Sequence, residues 1–560
     1  MSGRRVYLET FGCQMNELDS ELVAGQLASL GYQFTSRSDE ADVVLYNTCS
    51  VREQAEQKVW SRLGELRASK ADKPEMVVGV LGCMAERDGT DLMNRMPVVD
   101  VMCGPAELDK LPSLIDNAVR TRESLVADDP ESASLKSVKT SALQGSASRR
   151  SGTLAAAEDS LEYLDLSRSV SPIDPVGSIR KSAYVRITRG CNKFCTYCVV
   201  PFTRGAEIHR PPSHIVEEVQ RLADQGVTEI TLLGQTVNHY RFEHDSATQV
   251  DGITQSQKGR AFKGGHTRDP LAGERVTTFA DLLYELHEKA PSIQRLRFVT
   301  SYPRDFGDDV LEVIRDCPRI CRYLHVPAQT GSDRMLKMMN RGYTVSQYDE
   351  FVSRAREHLH QPEIGRPLMI SGDIIVGFPT ETDEDFAQTV DLLERTRYKS
   401  CFIFKYSPRP GTVAFDKIPD DIPDAVKRER NNELLAIQNR ISDEVSKEQI
   451  GAQYDILVEG PSQRQIKAAG LSQRNAKKAG GGGVQLTIGG QSADETEELS
   501  VTAVLEQSEG ETVQFSGRTD GDQIVMFDAP KETASALPGQ IRRVKITDGS
   551  GLSLFGDMLD

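Results

Sequence analysis

Short apolar runs alternate with stretches of helical period over residues 4–120 of the chain. This alternation predicts a parallel α/β domain over residues 1–120. The runs are RRVYLET, ADVVLYNTC, MVVGVLGC and VVDVMCG. Cys13, Cys49 and Cys83 stand at or just past the ends of three of these runs. In an open parallel sheet the carboxyl ends of the strands line the ligand crevice, so we expect these cysteines to converge there.

A second alternation begins near residue 176. It follows residues 121–175, which are rich in Ser, Ala, Asp and Glu and predict a flexible linker or insertion. Six strand candidates then occur: SAYVRIT, TEITLLG, QRLRFVT, RYLHVP, MISGDIIVGF and CFIFKYS. They predict a partial β/α barrel over residues 176–440, with its working face at the carboxyl ends of the strands. Residues 243–275 are polar and contain glycines, which predicts a surface insertion.

The last part of the chain changes to a pattern of short strands. After the helical stretch NNELLAIQNRISDEVSKEQIG, residues 447–556 contain closely spaced β runs, which predict a small all-β barrel. The runs are QYDILVEG, TAVLEQ, ETVQFSGRTD, DQIVMFDA and QIRRVKITDGSGLSLFG. Residues 461–498 interrupt them with scattered basic residues, four consecutive glycines and a Glu-rich segment, and we expect a flexible loop there.

The composition of the chain limits which binding partners and which cellular compartment we expect. The chain has 560 residues with 67 basic and 83 acidic side chains, a formal charge of −16, so an RNA contact would need a local basic surface. The first residues lack the apolar core of a secretory signal, and no run of about 18 apolar residues occurs, which predicts a cytoplasmic protein without membrane contact. Because cytosolic thiols stay reduced, we interpret the ten cysteines as metal ligands, catalytic groups or buried apolar residues.

Three of the ten cysteines lie within eight residues of one another. Cys191, Cys195 and Cys198 have the spacing C-x3-C-x2-C, and thiolates this close can surround one compact soft-metal centre. A structural zinc ion takes four protein ligands, and the first histidine after the group is the more distant His209. A 4Fe-4S cluster held by three cysteines leaves one iron open to an exogenous ligand. The spacing therefore favours an iron-sulfur cluster, and a zinc site that borrows a distant histidine is the alternative.

The segment RGCNKFCTYCVV follows the first strand of the predicted barrel and resembles the signature of radical S-adenosylmethionine enzymes. The resemblance implies that the amino and carboxylate groups of S-adenosylmethionine chelate the open iron. It also implies that an electron from the cluster cleaves the sulfonium to a 5′-deoxyadenosyl radical. Tyr197, directly before the last cysteine, takes the position that packs near the adenine in that superfamily.

Seven motifs in order resemble the methylthiotransferases, above all the tRNA 2-methylthioadenosine synthase branch. They are TFGCQMNELDS, YNTCSVREQAEQKV, GVLGCMAER, RGCNKFCTYCVVPFTRGAEIHRP, TLLGQTVNHY, HVPAQTGSDRMLKMMNRGYT and DIIVGFPTETDEDF. The resemblance covers nearly the whole chain apart from the three insertions. It implies an N-terminal methylthiotransferase domain, a radical S-adenosylmethionine barrel and a C-terminal RNA-binding TRAM barrel. It also implies that Cys13, Cys49 and Cys83 bind an auxiliary 4Fe-4S cluster; ordinary burial, the alternative, does not explain their shared position.

The resemblance implies a reaction in which the cofactors carry the difficult step. One S-adenosylmethionine methylates a sulfide at the auxiliary cluster, a second supplies the radical that removes the hydrogen from adenine carbon 2, and the methylthio group then transfers. No side chain breaks such a C–H bond at neutral pH, so we predict no catalytic residue beyond the cluster ligands. Gly234 and Gln235 are expected to contact the amino group of the cofactor. The main chain from Ile375 to Gly377 is expected to border its adenine, while the Ile375 side chain belongs to the barrel core.

Three subfamilies share these motifs. They act on isopentenylated adenosine in tRNA, on threonylcarbamoylated adenosine in tRNA, or on an aspartate of a ribosomal protein. The element GQ-x-VN-x-Y in LLGQTVNHY favours the first substrate, although Thr236 stands where that branch usually carries Asn. The non-enzyme alternative is an RNA-binding protein with structural clusters. The adenine would have to leave the stack of the anticodon loop, and Arg518 in GRTDGDQIVMFDAP is expected to face the RNA.

The remaining cysteines match none of these motifs. Cys103 and Cys401 adjoin predicted strands and are expected to be buried, while Cys317 and Cys321 form a pair without further ligands. The expected partners are a tRNA substrate, an electron donor of the flavodoxin type and a sulfur donor that the residues do not identify. The oligomeric state also stays open.

Overall fold

The computed structural model describes residues 3–50, 53–129, 136–143, 164–165, 181–250, 252–259, 269–468, 487–488, 501–508 and 510–559. The N-terminal strands are β1 (Arg5–Phe11), β2 (Gln33–Phe34), β3 (Val43–Thr48), β4 (Val77–Gly82), β5 (Val101–Cys103) and β6 (Thr140–Ala142). The helices between them are α1 (Gln14–Ser29), α2 (Glu53–Asp72), α3 (Cys83–Arg95) and α4 (Leu111–Asp128). These six strands pair in parallel in the order β2-β1-β3-β4-β5-β6, which confirms the predicted parallel α/β fold.

Helices cover both faces of this sheet. Every residue of β3 and β4 is buried, because central parallel strands carry continuous rather than alternating apolar runs. One apolar cluster packs α1 and α4 against one face, and a second packs α2 and α3 against the other. The carboxyl ends of the strands are thereby left to build a site.

The helix α4 continues past residue 120 to Asp128, and the chain then returns to the sheet as β6. The buried Asp100 carboxylate fixes this return. It accepts hydrogen bonds from Lys70 Nζ, from Arg122 Nε at 3.0 Å and from the Val138 backbone N–H at 3.3 Å. The expected linker therefore contains an ordered segment over 136–143. Residues 130–135, 144–163 and 166–175 of that stretch lie outside the described ranges.

The middle of the chain contains the six parallel strands of the barrel and seven further short strands among the described residues. The strands are β7 (Ser182–Arg186), β8 (Thr188–Arg189), β9 (Ile208–His209), β10 (Glu229–Leu233), β11 (Arg241–Glu243), β12 (Gln249–Val250), β13 (Ile253–Thr254), β14 (Gln257–Lys258), β15 (Val276–Thr278), β16 (Arg295–Phe298), β17 (Tyr323–His325), β18 (Met369–Val376) and β19 (Ser400–Lys405). The orders are β7-β10-β16 and β17-β18-β19, and a bridge between Leu296 and Ile320 joins the two sheets. The predicted six-stranded partial barrel is confirmed.

Helices surround this barrel. They are α5 (Val200–Thr203), α6 (Pro212–Asp224), α7 (Phe279–Lys289), α8 (Asp308–Asp316), α9 (Asp333–Met338), α10 (Val345–Leu359), α11 (Asp383–Thr396), α12 (Val413–Lys417) and α13 (Asp424–Lys447). The largest apolar core of the molecule lies between the outer side of the strands and these helices.

The insertion at residues 243–275 is only partly a surface feature. β12 and β13 form a short hairpin, and the chain then turns back so that β14 pairs with β9. Gln255 and Ser256 are buried, and the Gly259 N–H donates to the Glu207 carbonyl at 2.8 Å. Residues 255–259 therefore pack into the barrel domain, which their polar composition did not indicate.

A closed five-stranded barrel ends the chain, as predicted. Its strands are β20 (Gln453–Pro461), β22 (Thr512–Arg518), β23 (Ile524–Pro530), β24 (Ile541–Ser550) and β25 (Ser553–Met558), with the helices α14 (Gln463–Ala468), α15 (Val501–Gln507) and α16 (Lys531–Ala534). The helix α15 replaces the strand predicted for TAVLEQ, in which Val504 is buried and the following Leu505 packs against the barrel core.

The expected flexible loop at 461–498 contributes more than a connection. Besides α14, it supplies β21 (Thr487–Ile488), which pairs antiparallel with Leu8 and Glu9 of β1. Among the described residues, none of the helices is long and apolar enough to cross a bilayer.

Candidate iron-sulfur and cofactor site

Three strands of the N-terminal sheet deliver one cysteine each to the same edge. β1, β3 and β4 are neighbours, and Cys13, Cys49 and Cys83 follow their ends. The Cys49 backbone N–H donates to the Phe11 carbonyl at 2.9 Å, which holds two of these ends together. The Cys13 and Cys49 thiols share a hydrogen bond, and the charges of Cys13 and Cys83 interact. The structure thus brings together the three cysteines expected at the strand ends.

Two glycines permit this close approach. A Cβ on Gly12 would lie 2.8 Å from the Cβ of Cys49, and a Cβ on Gly82 would lie 2.7 Å from the carbonyl oxygen of Thr48. Gly82 also has a φ of +87°, a conformation that glycine adopts without steric cost. A side chain at either position would push the strand ends apart.

The thiols of this group differ in acidity. The pKa of Cys13 is lowered to about 6, chiefly by the hydrogen bond from Cys49 and further by the Arg204 guanidinium. Burial raises the pKa of Cys83, while Arg204 acts in the opposite direction. A positive charge beside the group favours thiolates, the form in which cysteine binds metals.

The loop that carries Cys191, Cys195 and Cys198 is held by the segment MLKMMNRGYT. Arg341 Nη1 donates to Cys195 Sγ at 3.4 Å, and the Thr196 backbone N–H donates to the Met339 carbonyl at 3.1 Å. Arg341 belongs to a motif that the sequence singled out, but only the fold reveals its contact with a cluster cysteine.

A bound cation would stabilise the thiolate forms of the buried cysteines in this loop. Burial, followed by repulsion from Cys198 and Glu207, raises the pKa of Cys191. Burial and repulsion from Cys195 raise that of Cys198 to about 12. Such groups ionise readily when a bound metal offsets their charge. This chemistry fits an iron-sulfur cluster or another thiophilic metal centre.

Arg204, which follows α5, lies beside the N-terminal cysteine group. Its guanidinium donates to Asp19 Oδ2 at 2.8 Å and interacts with the charge of Cys83. The Thr203 side chain hydrogen bonds with Cys83, and the charges of Cys83 and Cys198 also interact. The barrel loop therefore meets the carboxyl edge of the N-terminal sheet. Sequence reasoning missed Arg204, because in sequence it is indistinguishable from a solvated cation.

Tyr197, expected near the adenine of the cofactor, packs edge-on against Phe378 with ring centroids 6.5 Å apart. Ile375 packs against the same small apolar cluster. Ile374 and Val376 are fully buried in the barrel core on the other side of β18. The expectation that the Ile375 side chain belongs to that core is wrong, because strand alternation turns it towards Tyr197.

The predicted glycines lie in turns at the carboxyl ends of two barrel strands. Gly234 directly follows β10, and the partly exposed Gln235 comes next. Gly377 follows β18 with a φ of +68°, and a Cβ there would lie 2.4 Å from Lys427 Cγ. Its N–H donates to Glu381 Oε2 at 2.7 Å. All three predicted positions therefore lie at the working edge of the barrel.

An aromatic pair that the sequence analysis did not single out lines the inside of the barrel. Phe402 and Phe404 stack with centroids 6.4 Å apart and are 49% and 37% exposed. His325 contacts Phe402 edge-on and lies 3.1 Å from Asp373 Oδ1. Cys401 packs outward against the core, so the alternation within CFIFK was the available signal. The inner surface presents a flat apolar face.

Arg518, expected to face RNA, is engaged within the protein. Its guanidinium pairs with Glu459 at 2.8 Å and with Asp522 at 2.9 Å. Lys399, at the start of β19, pairs with the same Asp522 at 3.1 Å. This turn of the C-terminal barrel docks onto the larger barrel, and 41% of the Arg518 side chain stays exposed, so its contact with RNA remains a prediction.

The four cysteines outside the two groups adopt ordinary packing positions. Cys103, Cys317 and Cys321 are buried and Cys401 is partly buried. Burial was the explanation expected for Cys103 and Cys401.

Two family models match the regions that carry the cysteine groups. The model of the uncharacterized protein family UPF0004 matches residues 5–104, and the model of the Radical SAM superfamily matches residues 185–393.

Similarity to individual proteins extends much further. A tRNA-2-methylthio-N(6)-dimethylallyladenosine synthase of Rhodopirellula baltica is 40% identical over 556 residues, which cover 99% of this chain and 95% of the relative. Proteins of the same name from Porphyromonas gingivalis and Yersinia enterocolitica are 34% and 38% identical. Those matches cover 100% and 84% of this chain, and 95% and 85% of the relatives. The chain belongs to the tRNA-2-methylthio-N(6)-dimethylallyladenosine synthase family.

Proposed function

We propose that the protein transfers a methylthio group to adenine carbon 2 of isopentenylated adenosine, next to the anticodon in the tRNA anticodon loop. The radical S-adenosylmethionine domain brings S-adenosylmethionine and one 4Fe-4S cluster as cofactors. The second cluster belongs to the proposal. The observation that carries the proposal is the proximity of the two three-cysteine groups, since the charges of Cys83 in one and Cys198 in the other interact.

Each cysteine group holds one cluster in this proposal. Cys191, Cys195 and Cys198 hold the cluster at the barrel, and Cys13, Cys49 and Cys83 hold the auxiliary one. When bound, the clusters and S-adenosylmethionine supply the radical that breaks the aromatic C–H bond and the methylated sulfide that replaces the hydrogen. The chain itself orients the reactants and keeps water out.

Residues at the carboxyl ends of the barrel strands hold S-adenosylmethionine. Tyr197 and Ile375 form an apolar wall beside its adenine. The glycines Gly234 and Gly377 let the main chain approach the cofactor closely. Gln235 directly follows Gly234 and contacts the amino group of S-adenosylmethionine in this proposal. Arg341 orients the loop through its hydrogen bond to Cys195.

The inner aromatic face supports an unstacked adenine as the substrate. A base extruded from an RNA loop loses stacking, which an aromatic side chain replaces at about 1–3 kcal/mol per base. Phe402 and Phe404 offer such a surface, and it is also apolar enough for an isopentenyl group.

The partners follow from this substrate. The protein binds tRNA in the cytoplasm, with the C-terminal barrel as an RNA-contacting domain, and a flavodoxin-type protein supplies electrons. The donor of the sulfur stays unassigned.

The nucleosides of tRNA from a deletion strain test the proposal. We expect the 2-methylthio derivative of isopentenyladenosine to disappear and isopentenyladenosine to accumulate, as measured by liquid chromatography with mass spectrometry. A plasmid with the wild-type gene should restore the derivative, and a plasmid with Cys195→Ala should not. An unchanged nucleoside profile would overturn the proposal.

The same strain distinguishes the other candidates. Loss confined to the 2-methylthio derivative of threonylcarbamoyladenosine would identify the second tRNA substrate. A mass change in a ribosomal protein would identify the protein-modifying activity. Full modification by the Cys195→Ala variant would instead favour an RNA-binding protein with structural clusters.

A further inference from the structure

A buried group of one carboxylate and two imidazoles lies beside the cysteine loop of the barrel. His209 belongs to β9, and Glu207 directly precedes that strand. His239 ends the 3-10 helix Val237–His239 after β10. They are 0%, 1% and 6% exposed. One ligand atom from each lies within 4.8 Å of the other two, and His239 Nδ1 lies 2.6 Å from Glu207 Oε2.

Hydrogen bonds leave this group incompletely satisfied. Thr236 Oγ1 donates to Glu207 Oε1 at 3.0 Å. His209 Nδ1 and His239 Nε2 are buried and have no hydrogen-bond partner among the described residues. Buried polar atoms are rarely left unpaired, so each exception calls for an explanation.

The main chain at Gly259 lies close to two of the candidate ligand atoms. A Cβ on Gly259 would lie 2.8 Å from His209 Nε2 and 3.0 Å from Glu207 Oε2. A larger residue at this position would therefore push against the candidate ligands.

We propose that Glu207, His209 and His239 bind one divalent transition-metal ion, with zinc as the ion to be tested. Two imidazoles and a carboxylate suit zinc and its first-row neighbours. Ligand distances of about 2.0–2.2 Å place tetrahedral ligands about 3.4 Å apart, which small rotations of these side chains reach. The charge of the ion offsets the buried Glu207 carboxylate.

The site would tie three segments together. The Glu207 backbone N–H donates to Asn192 Oδ1 at 3.1 Å, and Asn192 Nδ2 donates to the Gly259 carbonyl at 3.1 Å. Asn192 directly follows the cluster ligand Cys191, and His239 lies in the segment that begins with Gln235. The ion thus fixes the cysteine loop against the turn expected to hold S-adenosylmethionine. It is a structural ion, separate from both iron-sulfur sites.

Metal analysis of the full chain tests this site. The protein is reconstituted anaerobically so that the cysteines are occupied by iron and sulfide, then equilibrated with zinc and desalted. We expect about one zinc ion per chain by mass spectrometry of the metals. His209→Gln and His239→Gln should each lower zinc affinity about tenfold or more. The control His244→Gln changes an exposed histidine and should keep full zinc binding.

Iron content in the same samples reports whether each variant is folded. If a histidine variant loses its iron as well, Gly259→Ala provides the test, because it keeps all three ligands and places a methyl group against His209 Nε2 and Glu207 Oε2. That variant should retain iron and bind zinc more weakly. The proposal is overturned if the iron-replete wild type retains no zinc, or if folded His209→Gln, His239→Gln and Gly259→Ala variants bind zinc as the wild type does.

Discussion

The thiols of the two cysteine groups differ in the charge that surrounds them. Cys13 accepts a hydrogen bond from Cys49 and lies near Arg204, so its pKa falls to about 6. Cys198 is buried beside Cys195, so its pKa rises to about 12. Before any metal binds, we therefore expect Cys13 to be a thiolate at neutral pH and Cys191 and Cys198 to be protonated.

Alkylation of iron-free protein tests this difference. At pH 7 iodoacetamide should modify Cys13 and leave Cys198 largely unmodified, as read by peptide mass spectrometry, because the thiolate is the reactive form. Arg204→Gln should move the alkylation midpoint of Cys13 to higher pH, whereas Arg204→Lys keeps the charge and should hold it. Equal modification of both cysteines at pH 7 would contradict the assignment.

The turn after β18 requires glycine for two separate reasons. Gly377 combines a φ of +68° with a Cβ position 2.4 Å from Lys427 Cγ, whereas Gly411 has a φ of +82° and open space around it. Gly411→Ala should cost about 1–2 kcal/mol from backbone strain alone. Gly377→Ala should cost about 1–3 kcal/mol more through overpacking. Thermal unfolding of both variants measures this, and equal losses would show that the contact with Lys427 yields freely.

Residue roles were predictable where spacing carries the chemistry. The three-cysteine spacing and the positions at strand ends were enough to predict both cysteine groups from the sequence. Arg204 and Arg341 were not predictable, because their contacts with the cysteines join residues that are distant in sequence. Ile375 was assigned to the wrong side of its strand, since a continuous apolar run hides which side chains point inward.

At the scale of elements, one buried carboxylate, that of Asp100 directly before β5, connects the strand to α2, α4 and the segment that leads to β6. Asp100 binds Lys70 of α2 and Arg122 of α4, and the side chains of all three are at most 1% exposed. It also accepts a hydrogen bond from the Val138 backbone N–H, which brings β6 to the sheet edge.

Neutralising this carboxylate should destabilise the N-terminal domain. Asp100→Asn leaves two buried cations without their partner, and breaking such a pair costs about 3–5 kcal/mol. The control Asp316→Asn changes an exposed partner of Arg315 and should cost less than about 1 kcal/mol. Thermal unfolding followed by circular dichroism compares the two, and similar midpoints would refute the role given to Asp100.

Element prediction succeeded where apolar runs were long and failed where they were short. The strands of both sheets were found because parallel strands need continuous apolar stretches. β6 was missed because Thr140–Ala142 is a three-residue polar strand held by Asp100 rather than by its own burial. TAVLEQ was misassigned because a window of six residues fits both periods.

Across the whole molecule, a turn of the C-terminal barrel docks into the larger barrel. Arg297 Nη2 donates to the Thr519 carbonyl at 2.7 Å, and Arg366 pairs with Asp520 at 3.1 Å. Burial alone would raise the pKa of Asp522, but Lys399 and Arg297 hold it well below its usual range.

This docking should weaken in acid. A carboxylate with a lowered pKa stabilises the docked state above its ordinary pKa of 3.8 and loses that contribution as the pH falls below it. The protection of β22 and β23 amides against hydrogen exchange, relative to the intrinsic exchange rate at each pH, should therefore fall below about pH 4 in the wild type. Asp522→Asn should show the faster exchange already at pH 7, and wild-type exchange rates in that variant would rule out the ionic docking.

The central claim is that the chain holds two iron-sulfur clusters through two separate groups of three cysteines. Iron and sulfide content after anaerobic reconstitution tests it most directly. We expect about eight iron atoms per wild-type chain, because each 4Fe-4S cluster contributes about four. Replacing Cys13, Cys49 and Cys83 by Ala, or Cys191, Cys195 and Cys198 by Ala, should leave about four in each case. About four iron atoms in the wild type, or an undiminished content in either triple variant, would contradict the account.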